Sequence, residues 1–188
     1  MDYTKNMTGG NEKMKRILAI LLMMALLVAA VPAVAFASGT STKGNTVYRV
    51  KTSGGNLNVR AKASASSKVV KSIKNGTPFI VLKTSGSWYK IRVLNSYFRN
   101  TSTTGWVSKK YTAKNAYAKV TTPVHGLNVR STPVDYADWR NVLGSMPKGA
   151  KNVLVKKISG NWAYVTFGKL TGWSSIGTKQ PYLTWQKK

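Results

Sequence analysis

Four short motifs occur in the same order twice, and this internal repeat limits what the chain can fold into more than any other feature. Leu57-Asn58-Val59-Arg60 returns as Leu127-Asn128-Val129-Arg130, and residues 69–76 (VVKSIKNG) align with residues 142–149 (VLGSMPKG). Ser85-Gly86-Ser87-Trp88 then matches Ser159-Gly160-Asn161-Trp162, and Thr104-Gly105-Trp106 matches Thr171-Gly172-Trp173. Motifs that keep their order across two copies mark two structural units of one kind.

Each copy is a series of short β-branched and aromatic runs broken by Gly, Asn, Pro and Ser, the texture of a meander of short strands. Phe79-Ile80-Val81-Leu82 and Val153-Leu154-Val155 read as central strands. After Trp88 the residues alternate, so Tyr89, Ile91 and Val93 share an inner face while Trp88, Lys90 and Arg92 share the outer one. In the second copy Ala163, Val165 and Phe167 take the inner phase, and Trp162, Tyr164 and Thr166 the outer. No amphipathic helix of useful length follows residue 37. The sheet must therefore bury its face against itself, as in a small barrel. The chain has no cysteine, so each unit must be stabilised by its packed core.

With these motifs the chain resembles the bacterial Src-homology-3 (SH3b) family, whose pattern is an opening L-N-V-R, a mid-domain apolar stretch ending in Gly, then G-x-W and a closing G-W. The resemblance covers residues 46–113 and 117–185. It implies an all-β fold of two small SH3-like β-barrels in tandem, with five or six strands each. It also implies modules that commonly bind the bacterial cell wall or accompany wall-processing enzymes. Residues 38–45 and 114–116 read as linkers and 186–188 as a basic tail.

The copies differ in two loops. Between Arg130 and Val142 the second copy has three extra residues and the sequence Asp135-Tyr136-Ala137-Asp138-Trp139, which reads as a short helical turn. Between Trp88 and Gly105 the first copy is seven residues longer, and its insertion carries Tyr97 and Phe98. The second copy also has Ser174 where the first has Val107, which predicts an irregular last strand.

Ahead of the repeat, Lys13, Lys15 and Arg16 precede an apolar stretch over residues 17–31, then Pro32 and Ala35-Phe36-Ala37. This is the layout of a secretory signal with cleavage before Ser38. A stretch of this length can also just cross a bilayer, but Pro32 and the A-x-A site suit a peptidase better than a continuing helix. Met14 opens a more compact signal. The expected location is extracellular, in association with the cell wall.

The full chain carries a net charge of +26. Residues 1–37 hold four bases (Lys5, Lys13, Lys15, Arg16) and two acids (Asp2, Glu12), which leaves +24 beyond the signal. Only Asp135 and Asp138 remain acidic there. Such a balance favours polyanionic partners, of which export points to an anionic cell envelope more than to nucleic acid. The pairs Lys109-Lys110, Lys156-Lys157 and Lys187-Lys188 read as a diffuse positive field.

The same composition leaves little for catalysis. A cysteine peptidase is excluded. Zinc hydrolysis would have to draw on His125, Asp135 and Asp138 alone, and no metal or other cofactor is expected. Glycoside cleavage needs two carboxylates across a sugar, whereas these two lie in one loop without a Glu to help. A Ser-His-Asp set would depend on His125, better read as a turn residue. The expectation is a noncatalytic protein that binds peptidoglycan peptides and is drawn to anionic wall polymers. The alternative is an exported protein that recognises another protein or extracellular nucleic acid.

Candidate binding residues fall into three groups. Tyr136, Trp139, Tyr97 and Phe98 lie in the insertions, where specificity is usually written. Trp88, Trp162, Trp106 and Trp173 can line a groove or cap the side of a barrel. Asn58, Arg60, Asn128 and Arg130 can meet peptide backbone and anionic groups, or stabilise a strand edge.

Overall fold

The computed structural model describes residues 44–123, 125–135 and 139–187, which belong to one compact unit, Gly39–Lys188. The expected leader, residues 38–43, Tyr136, Asp138 and Lys188 lie outside the described residues, as does most of the expected helical turn.

The repeat in sequence becomes a repeat in topology. The first half contains β1 (Asn45–Val50), β2 (Leu57–Arg60), β3 (Val69–Ile73), β4 (Pro78–Ser85), β5 (Trp88–Leu94), β6 (Asn100–Ser108) and β7 (Thr112–Lys114), with one 3-10 turn at Lys109–Tyr111. The second contains β8 (Ala116–Val120), β9 (Gly126–Arg130), β10 (Val142–Pro147), β11 (Val153–Ser159), β12 (Trp162–Phe167), β13 (Leu170–Ser175) and β14 (Leu183–Gln186). The order β7-β1-β4-β5-β6-β2-β3 is repeated as β14-β8-β11-β12-β13-β9-β10, antiparallel throughout. The fold is the all-β, SH3-like one that the patterning implies. Each half has seven strands, not five or six, because the chain returns at β7 or β14 to pair with the half's first strand.

The halves are also joined. Asn45 and Thr46 of β1 pair with Ile158 and Lys157 of β11, so that both sets of strands form a single open antiparallel sheet. Lys114 ends β7 and Ala116 begins β8, leaving only Asn115 between the strands. That residue turns the chain with φ 63°, and its N–H donates to the carbonyl of Val47 at 2.8 Å. At the other end, Gln186 is in β14, opposite Tyr117.

One core lies within the first half, formed by Val50, Leu57, Val59, Ile73, Phe79, Ile91, Val93 and Val107. The other fills the second half and takes in Val47, Ile80, Leu94 and Phe98 from the first. Phe79 and Ile80 are consecutive and so point to opposite faces of β4. Both are buried, one in each core. Burying an aliphatic or Phe side chain of this size contributes about 1.5–3 kcal/mol, so these four residues weld the halves together.

The alternation read from the sequence holds: Ile91, Val93, Ala163 and Val165 are buried, while Lys90 is exposed. The glycines of the two Thr-Gly-Trp motifs have a shared steric cause. A Cβ on Gly105 would lie under 3.0 Å from Val59 and the Arg60 carbonyl, and one on Gly172 would meet Val129 and the Arg130 carbonyl as closely. Only glycine lets β6 cross β2 and β13 cross β9 at this distance. The irregular strand expected at Ser174 is not found, since β13 pairs with β12 without a register shift. Ser174 is fully buried, and its hydroxyl donates to the Asn128 carbonyl at 2.9 Å, which satisfies the polar group that replaces Val107.

Candidate functional site

Each half carries a groove at the same place, lined by positions that the repeat relates. In the first half, β2 supplies Leu57, Asn58 and Arg60, the loop before it Thr52 and Asn56, and the loop after it Ala65. Seventy residues on, β9 and its flanking loops supply Leu127, Asn128, Arg130, Thr122, Gly126 and Asp135 in the same roles. One wall is Trp88 with Ser108 in the first groove and Trp162 with Ser175 in the second, both cross-strand pairs. Tyr111 completes the first groove and Tyr182 the second.

An aromatic pair, an amide and a guanidinium facing one cleft are suited to a peptide-like ligand. The rings cover apolar surface, the amide reads backbone and the guanidinium binds an anion in a fixed fork. Although built from equivalent positions, the grooves differ in size, at about 410 Å³ in the first half and about 150 Å³ in the second.

The difference centres on the arginines. Arg60 is half-buried and donates through Nη1 to the Ser67 carbonyl at 2.6 Å. Arg130 is buried, donates through Nη1 to Asn141 Oδ1 at 2.8 Å and through Nη2 to Asp135 Oδ1, and stands 5.9 Å from the centre of the Trp139 ring. Asn141 is itself buried and holds the loop, donating from Nδ2 to the Val134 carbonyl at 2.7 Å and to Thr132 Oγ1 at 2.9 Å. Thr122, at the second groove, is fully buried, and its hydroxyl has no partner among the described residues.

The structure sorts the sequence candidates. Trp88, Trp162, Asn58, Asn128, Arg60 and Arg130 all line grooves. Trp106 and Trp173 line neither. Trp173 is buried with its ring tilted against Tyr164 at 5.2 Å, and Trp106 is half-buried opposite Arg60 in the β2–β6 ladder. Trp139 is 61% exposed beside Arg130, at a left-handed φ of 61° that a bulky residue rarely adopts. Tyr97 is exposed at the tip of its insertion, away from both grooves.

Phe98 requires a correction. It was expected to face a ligand, yet it is 2% exposed, stacked on Trp185 of the second half at 3.7 Å between ring centres. Trp185 Nε1 also donates to the Asn95 carbonyl at 2.8 Å. Through Phe98 and Asn95 this loop packs on the second half.

Tyr111 and Tyr182 were missed by sequence reading. They are three residues past Ser108 and seven past Ser175, so the repeat does not align them. A 3-10 turn, with Thr112 Oγ1 donating to the Lys109 carbonyl at 2.8 Å, brings Tyr111 to its groove.

Residues 55–113, which include most of the first groove, match the bacterial SH3 domain family. No curated protein matches the chain. Among solved structures, NlpC2 from Trichomonas vaginalis is similar over 78% of this chain and 50% of its own, at 15% identity and a TM-score of 0.42. NlpC1 from the same organism is similar over 79% and 49%, at 15% identity and a TM-score of 0.39. This chain thus spans about half the length of those structures.

Proposed function

We propose that this chain is an exported, noncatalytic cell-wall-binding protein whose grooves hold peptide segments of peptidoglycan, while its positive surface draws it to anionic wall polymers. The observation that carries this reading is the groove built twice, with Trp, Tyr, Asn and Arg in the same roles. The bacterial SH3 match over residues 55–113 supports the wall as the setting. The net charge of +24 beyond the expected leader supports a polyanionic surface there. Among the described residues no three His, Cys, Asp or Glu side chains gather where a metal could bind, and none of the described helices is long and apolar enough to cross a membrane.

The test is retention on purified sacculi, with and without their anionic polymers, at low and high salt. The field should weaken sharply as the Debye length contracts from about 10 Å at 0.1 M to about 3 Å at 1 M. Groove binding should survive. The double variant Trp88→Ala, Trp162→Ala should lower the surviving fraction by about tenfold or more, since a buried aromatic anchor is commonly worth about 2 kcal/mol. No muropeptides should be released. Retention that disappears once the anionic polymers are removed would overturn the reading in favour of a simple polyanion binder.

A further inference from the structure

The two grooves carry arginines at equivalent positions, and the second contains its own anion. Asp135, five residues after Arg130, places its carboxylate on the guanidinium. Five residues after Arg60 stands Ala65, which also lines its groove. Residues 44–134 contain no Asp or Glu, so no side chain of the first half can take the place that Asp135 takes in the second. Arg60 donates through Nη1 to the Ser67 carbonyl and lines a cleft of about 410 Å³ together with Trp88 and Tyr111.

We propose that the first groove binds a peptide through a carboxylate seated on Arg60, and that Asp135 is a built-in substitute for that carboxylate which keeps the second groove from taking the same ligand. This rests on the reading of the grooves as peptide sites and assigns them different duties. A carboxylate accepts a charge-assisted hydrogen bond from a guanidinium, and Asp135 shows this contact on Arg130 Nη2 while Nη1 is held by Asn141 Oδ1, as Arg60 Nη1 is held by the Ser67 carbonyl. Asp135 lines the second groove where Ala65 lines the first, and the second is the smaller, about 150 Å³ against about 410 Å³. The chain then carries one open acid-binding groove, and its tandem form adds a second such site only when the Asp135 contact breaks.

The experiment is a calorimetric titration of the purified protein with a synthetic peptidoglycan stem peptide whose carboxylates are free, and with the same peptide amidated. Wild type should bind the free acid at one site per chain, about tenfold or more tighter than the amide, as expected for loss of a charge-assisted hydrogen bond. Ala65→Asp should weaken the free acid by about tenfold and abolish its preference over the amide, because it installs the missing internal carboxylate. Asp135→Ala should raise the stoichiometry to two. Ser102→Asp, the same charge change on an exposed position of β6 outside the groove, should alter neither peptide.

Equal weakening by Ala65→Asp and Ser102→Asp would mean that only the overall field is felt, and would overturn the proposal. So would equal binding of acid and amide, absence of binding by either, or displacement of the free acid by glycerol phosphate at equal concentration. A parallel measurement of salt-resistant sacculus retention by Trp88→Ala separates the two layers. If retention depends on Trp88 while acid and amide bind alike, the carboxylate assignment fails alone. If retention ignores Trp88, the groove reading fails with it.

Discussion

Each copy of the repeat has one insertion with an aromatic residue at φ 61°, Phe98 in the first and Trp139 in the second, yet the two rings end in opposite places. In the first insertion Asn95 Oδ1 accepts the N–H groups of Tyr97 and Arg99, at 2.9 and 3.0 Å, and folds the tip back. Phe98 then meets Trp185 and is buried, whereas Trp139 stands beside the Arg130 guanidinium and stays in solvent. What decides is the surface opposite. An aromatic ring stacked on a ring of the other half is taken out of water, while one beside a guanidinium gains a cation–π contact worth about 0.5–1 kcal/mol at an exposed site. One insertion therefore became part of the core, and the other was left beside a groove.

The sharpest way to break this comparison is Phe98→Ala. It should cost about 3–5 kcal/mol in denaturant unfolding, the range for truncating a buried Phe. A loss under about 1 kcal/mol would show that the halves are not held together through this ring. Asn141→Ala comes next, because it removes the amide that holds the second insertion and leaves Arg130 Nη1 without its partner. It should cost about 1–3 kcal/mol in the same assay. Together with that loss, proteolysis should begin in residues 131–141 if the amide is what orders this loop.

Trp185→Phe keeps a ring against Phe98 and removes only the Nε1 bond to the Asn95 carbonyl, so about 1 kcal/mol is expected. A cost as large as that of Phe98→Ala would transfer the stabilisation from stacking to the hydrogen bond. The smallest change in stability belongs to Trp139→Ala, within about 0.5 kcal/mol, as for an ordinary surface position. Its effect should appear in sacculus binding at high salt, where the salt-resistant fraction falls if this exposed ring touches the wall. Unchanged retention at both salts would make the second insertion a loop that serves Arg130 alone.

Much of this was legible without coordinates. Four motifs repeated in order imply one topology used twice, and alternation after Trp88 and Trp162 assigns inner and outer faces, because both are local consequences of the pleat. The same motifs contain Asn58, Arg60, Trp88 and their counterparts, so three of the nine residues lining each groove were legible from the repeat. The tyrosines were not, since Tyr111 and Tyr182 reach equivalent places by connections of different length. The sequence by itself thus determined the strand class, the twofold repetition and the Trp, Asn and Arg that line each groove. Only the tertiary structure decided that β1 pairs across to β11, that Phe98 is core and Trp139 surface, and that Asp135 sits on Arg130 while Ala65 leaves Arg60 open. The pairing of the halves and the burial of Phe98 depend on surfaces far apart in the chain, as with Asn95 and Trp185, 90 residues apart. Such encounters leave no periodic trace, because a side chain's burial is settled by the partner opposite it and not by its neighbours in sequence.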